Sequence, residues 1–183
     1  MRFSLLIPIL LALFTLTACN RPSQQDLNTV PTVDLEYYSG TWNELARYEN
    51  FKQTGCVGAT ATYQPIPEGL SVTNNCYSSS GHLKAQDKGI LNVLEGSNNS
   101  KFQNKASTFQ DEYWVLMLAE DYRYSVVGSP DREYLWIYSR QTVLASADRE
   151  NIITSLNSLG FDTDKLYWTG FKAMCNVESQ LKR

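Results

Sequence analysis

The chain has 183 residues with 16 basic and 19 acidic side chains, a formal net charge of −3. That length suits one domain with a core or a ligand-sized cavity, and a weakly acidic balance without a basic stripe excludes a nucleic-acid partner. One histidine, His82, no Ser-His-Asp arrangement, no Cys2His2 spacing and no Gly-rich phosphate loop argue against an enzyme, a metal centre or a cofactor.

Residues 1–18 have the form of a secretory signal. Met1-Arg2 is a short positive region and Phe3 to Leu16 is mainly apolar. The run is too short for a comfortable membrane-spanning helix. Leu16-Thr17-Ala18-Cys19 reads as a bacterial lipobox. The Cys19 thiol then takes a diacylglycerol, the peptide is cut before it, and the new amine is acylated, typically by palmitate. Asn20 follows instead of the Asp associated with inner-membrane retention, so the outer membrane is the expected location. Loss of the signal removes Arg2 and leaves a net charge near −4. Residues 19–33 are polar, carry Pro22 and Pro31, and read as the lipidated end plus a flexible tether.

A folded domain is expected over 34–168. A helical turn starts near Asp34 and ends at Tyr37-Tyr38. Thr41 to Asn50 alternates as a strand, with Trp42, Glu44, Ala46 and Tyr48 on one face and Asn43, Leu45 and Arg47 on the other. Val57 to Gln64 and Leu70 to Tyr77 form a hairpin about Pro65-Ile66-Pro67-Glu68-Gly69. His82 to Leu94 is a longer strand broken at Gly89, and Lys101 to Ala106 is a weak one. Asp111 to Leu118, Arg123 to Gly128 and Tyr134 to Arg140 complete eight strands at regular spacing. Eight is the number at which a closed barrel can hold one small ligand. Asp148 to Leu159 then places Ile152, Ile153, Leu156 and Leu159 at helical spacing, with Ser146 as its cap and Gly160 as its stop. Residues 169–183 form a tail.

Gly40-Thr41-Trp42 at the start of the first strand is a plug. The glycine admits close backbone approach and the indole fills the space beneath. The last strand, Tyr134-Leu135-Trp136-Ile137-Tyr138-Ser139-Arg140, ends on an Arg able to cover an indole face. A G-x-W on the first strand with an Arg after the last resembles the lipocalins. Ala59-Thr60-Ala61-Thr62-Tyr63, Tyr113-Trp114-Val115-Leu116 and Asp121-Tyr122 narrow the resemblance to the bacterial outer-membrane lipocalins, relatives of apolipoprotein D. It spans about Asp34 to Leu166 and departs at Asn43, where the family usually has Tyr. It implies an all-β fold, an eight-stranded antiparallel up-and-down barrel with a C-terminal helix packed outside. It further implies that Gly40, Trp42 and Arg140 close the barrel. The expected function is binding, storage or transport of fatty acids or lysophospholipids by a membrane-anchored protein, for envelope maintenance under stress. Some such relatives dimerise, so a homodimer is an open expectation.

Counting in twos places Ala59, Ala61, Tyr63, Val72, Tyr113, Val115, Met117, Tyr134, Trp136 and Tyr138 on an inward, ligand-binding face. Small residues leave room while aromatics supply area and hydroxyls, which suits an elongated apolar ligand with a polar end. The same residues could instead fill the barrel, making a structural or adhesive surface lipoprotein. A lipocalin-type enzyme acting on a bound lipid is the third reading, though no nucleophile–base pair supports it. Glu44, if it faces inward, should have a raised pKa unless Arg or Tyr pairs with it. Cys56 and Cys76 flank the Pro65–Gly69 turn almost symmetrically and should bridge, leaving Cys175 free or paired between chains. The alternative is Cys56 with Cys175, resembling the bond that staples the tail in animal lipocalins.

Overall fold

A computed structural model of the chain describes residues 27–105 and 111–170. Among the described residues nine strands form one sheet: β1 (Gly40–Tyr48), β2 (Gly58–Ile66), β3 (Gly69–Tyr77), β4 (Leu83–Val93), β5 (Lys101–Asn104), β6 (Glu112–Leu118), β7 (Tyr124–Gly128), β8 (Leu135–Ser139) and β9 (Leu166–Trp168). Neighbours from β2 to β8 pair in sequence order, and β1 pairs with both β8 and β2. That double pairing closes an eight-stranded antiparallel barrel. The ninth strand, which the sequence reading missed, adds to the second half of β1, where Ala46 faces Trp168 and Tyr48 faces Leu166. There β1 has already parted from β2, whose pairing ends at Asn43–Thr60.

Two β-bulges decide which residues face inward. Between Glu44 and Ala46 the β1–β8 register shifts by one. An extra residue in one strand exchanges its faces. Trp42 and Glu44 therefore face the barrel interior, whereas Ala46 and Tyr48 join the outer cluster, against the alternation expected over the whole strand. A second shift, between Val115 and Met117 on β6, sends Met117 to the outer cluster.

The remaining boundaries moved little. β2 runs on through Pro65 and Ile66, so the hairpin turn shrinks to Pro67-Glu68. Proline is tolerated there because β1 pairs no further than Tyr63. β4 is continuous through Gly89, which stays in register opposite Val72.

Among the described residues two α-helices flank the barrel. α1 (Leu35–Tyr38) is capped by Asp34, whose Oδ1 accepts from Glu36 N and Tyr37 N. α2 (Ser146–Ser158) packs outside. Its Ile152 and Leu156 are fully buried against Val126, Leu135 and Ile137. Ser146, expected as the cap, is the first helical residue instead, following Ala145. Asp148 in the first turn ties the helix to Arg123 at 2.7 Å.

Residues 27–33, expected in the flexible tether, pack on the barrel. Val30 N donates to Val115 O and Val33 N to Asn98 O, both at 3.0 Å. Leu27 is buried in the outer cluster and Val33 in the inner one. Three apolar residues at a spacing of three give this polar stretch enough apolar area to dock.

Candidate functional site: the barrel cavity

Each end of the barrel has its own chemistry. At one end Trp42 is fully buried, and the Arg140 guanidinium carbon lies 3.8 Å above its ring centroid. Arg140 also donates to the carbonyls of Tyr37, Tyr38, Ser39 and Thr41. Trp42 Nε1 donates to Tyr38 O at 2.9 Å. Gly40 has φ +90°, where a side chain would be strained, so the residue that starts the strand must be glycine. Asn43 Nδ2 donates to Arg140 O, giving the departing residue a role in the same closure. Together these contacts shut this end of the barrel.

The packing continues upward through Tyr38, Ala61, Leu70, Phe102, Val115 and Val127. Above them a cavity of about 190 Å³ opens toward the other end. Its apolar wall consists of Ala59, Val72, Leu91 and the rings of Tyr63, Tyr113, Trp136 and Tyr138. Its rim carries Asn50, Lys52, Gln53, Asn74, Asn75, Gln86, Asp87 and Asn104.

Six of the ten expected residues thus line the cavity: Ala59, Tyr63, Val72, Tyr113, Trp136 and Tyr138. Ala61 and Val115 face inward but belong to the packed floor, with Ala61 paired beside Trp42. Tyr134 precedes β8 and stacks on Trp136 at 5.8 Å, with the Lys52 amine 5.8 Å from its ring. Met117 lies outside the barrel, as the β6 bulge requires.

One wall is a polar chain. Arg47 Nη1 donates to Glu44 Oε1 at 2.7 Å and Arg47 Nη2 to Cys56 O at 2.9 Å. Gln53 Nε2 donates to Glu44 Oε2, while Gln53 Oε1 accepts from Trp136 Nε1 and Asn50 Nδ2. Burial raises the pKa of the Glu44 carboxyl, and Arg47 and Gln53 offset only part of that effect. The sequence reading gave Arg47 no part in the site because the β1 bulge is invisible to counting in twos. Gln53 comes from a 3-10 turn (Phe51–Gln53) in what was expected to be a plain loop. Asn74 was within reach, since it lies two residues from Val72 on the same strand.

Tyrosine hydroxyls cluster just above the floor. Those of Tyr63 and Tyr113 lie 2.6 Å apart, and Tyr38 meets Ser125 at 3.0 Å. Burial pushes Tyr38 up to about 12 and raises Tyr63, Tyr113 and Tyr138 well above the usual phenol value. These groups therefore stay neutral hydrogen-bonding hydroxyls.

Cys56 and Cys76 form a disulfide, as the hairpin symmetry predicts, and Cys76 lines the cavity. Cys175, the alternative partner, and Cys19, the lipidation candidate, lie outside the described residues. His82 is exposed beyond the end of β3.

A lipocalin-like domain model matches residues 33–170. The chain belongs to the lipocalin family. It is 29% identical over 171 residues to the outer membrane lipoprotein Blc of Escherichia coli, covering 92% of this chain and 97% of that one. A putative lipocalin of Acanthamoeba polyphaga mimivirus is 30% identical over 151 residues, covering 79% of this chain and 88% of that one. Among solved structures, insecticyanin of the tobacco hornworm Manduca sexta superposes with a TM-score of 0.62 at 22% identity, covering 79% of this chain and 84% of that one. At that identity the likeness speaks for the fold alone. This lipocalin accordingly keeps the closed barrel with its outer helix, as the sequence led us to expect.

Proposed function

We propose that the protein is a lipid-anchored outer-membrane lipocalin that binds and carries a single-chain amphiphilic lipid, in the service of envelope maintenance under stress. Fatty acids and lysophospholipids are the ligand class suggested by its resemblance to outer-membrane lipocalins. The observation that carries this reading is the open-ended cavity itself, apolar and aromatic below, rimmed by amides above. A filled barrel would have its inner face packed from end to end, and here packing stops at the level of Tyr63 and Leu91. At about 190 Å³ the cavity is below the roughly 300–1,000 Å³ of most small-molecule pockets. Part of a long acyl chain would therefore remain at or beyond the rim.

Native mass spectrometry of protein purified from membranes tests the reading, together with lipid titration. A retained amphiphile, recovered chemically unchanged, and saturable rebinding are expected. Turnover of the bound lipid would indicate an enzyme, and absence of saturable binding a structural lipoprotein.

A further inference from the structure

We propose that the rim of the cavity holds a vicinal diol, so that among single-chain lipids the protein prefers a monoacylglycerol, inserted tail first with its glycerol head at the mouth. This deepens the carrier reading by naming the head of its ligand, and rests on it.

β3 and β4 carry the inward face from floor to mouth in register. Leu70 pairs with Leu91 at the floor, Val72 with Gly89 above it, Asn74 with Asp87 next, and Cys76 with Ala85 at the top. Partners in an antiparallel ladder point to one face, with Cβ atoms about 5 Å apart. Asn74 and Asp87 are therefore an amide–carboxylate pair, about 7 Å of strand above Val72. Both line the cavity. Gly89 and Ala85 flank Asp87 on its face, and Ala61 pairs with Asn74 from β2, so little side-chain bulk competes for the space before them.

The pair is also chemically open. Among the described residues neither side chain has a hydrogen-bond or ion-pair partner. Neighbouring rim groups are engaged: Gln53 with Glu44, Trp136 and Asn50, and Asn75 with Thr60 and Gln86. A carboxylate accepts only, at about four positions, whereas an amide both donates and accepts. Two adjacent hydroxyls match that set. Each donates to one oxygen of Asp87, and the Asn74 amide donates to a hydroxyl oxygen. The acyl chain then runs down past Val72, Ala59 and Leu91. A fatty-acid carboxylate has no proton to give Asp87. Lys52, the one cation lining the cavity among the described residues, is held by Asp111 at 3.1 Å. Fatty acids therefore enter on their chain alone, and the diol adds to what the chain supplies. A sugar ring carries more hydroxyls than this pair can engage, which leaves glycerol as the better match.

Calorimetric titration of the full-length chain with four eight-carbon probes is the test: 1-octanoylglycerol, 3-hydroxypropyl octanoate, octanoate and octyl glucoside. The first should bind roughly tenfold more tightly than the second, which has the same ester and chain but no vicinal diol. Octanoate should bind no more tightly than the 3-hydroxypropyl ester. Asp87→Ala should bring 1-octanoylglycerol down to the level of the 3-hydroxypropyl ester without weakening octanoate. Asn74→Ala should remove part of the preference, and Lys88→Ala, on the other face of β4, none of it. If Asn74→Ala does not fold, Asp87→Ala decides alone, since that side chain is exposed. Equal affinities for the two esters, or a preference that survives Asp87→Ala, overturns the proposal. Tighter binding of octyl glucoside than of 1-octanoylglycerol overturns the glycerol assignment. Failure of all four probes, with no lipid retained from membranes either, instead removes the carrier reading beneath it.

Discussion

Arg140 and Trp42 act as one unit, the guanidinium spanning four carbonyls while its face covers the indole. Trp42→Ala removes a fully buried ring and should cost roughly 3–5 kcal/mol, read from the urea midpoint at constant slope. An unchanged midpoint would contradict the closed floor. Glu44 makes a prediction of a different kind. Its folded pKa lies above the unfolded value, so the native state holds the proton more tightly. Stability due to this group should fall as pH rises from the ordinary glutamate range to the folded midpoint, then level off. The difference between wild type and Glu44→Gln in urea midpoints over a pH series should show that slope with that sign. A difference that grows in favour of the wild type across that window would mean that Arg47 outweighs burial.

At the scale of elements, alternation read the molecule well until a bulge intervened. Trp42 and the inner residues of β2 and β8 were legible because their registers run without a shift through the stretch that counts. Ala46, Arg47, Tyr48 and Met117 were misassigned because one extra residue exchanges two faces, and no local residue type announces it. β9 escaped because three residues make a strand only when β1 offers an edge. Gln53 escaped because its partners, Glu44 and Trp136, are distant in sequence. The cysteine pair was legible because hairpin geometry is local. The outer helix gives a clean separation of stability from binding. Leu156→Ala, beneath α2, should cost about 2–5 kcal/mol while leaving ligand affinity in the native state unchanged. Ala59→Trp, on the cavity wall, should abolish binding of lipids. If Leu156→Ala weakens binding as much as Ala59→Trp, the ligand lies between helix and barrel instead.

For the whole molecule, the docking of residues 27–33 changes how an anchored barrel would be held. A tether running freely from Cys19 to Val33 would span some 50 Å when extended, at about 3.5 Å per residue. With Leu27 buried, only the eight steps from Cys19 to Leu27 remain, a reach of at most about 28 Å. The docked segment meets the barrel beside Asn98 and Val115, at the closed-end side, while the mouth lies opposite. An anchor at Cys19 would therefore hold the domain within about a barrel length of the bilayer. Two variants separate anchoring from docking. Cys19→Ser should leave the protein unprocessed or release it from outer-membrane fractions without changing its urea midpoint, since lipid adds attachment and not core. Val33→Asp places an unpaired charge at a position 1% exposed and should lower the midpoint while leaving the lipidated protein in the membrane fraction. A Cys19→Ser protein that is still processed and pellets with outer membranes would refute the lipobox. A Val33→Asp protein as stable as wild type would show that residues 27–33 are a free tether after all, with the longer reach restored.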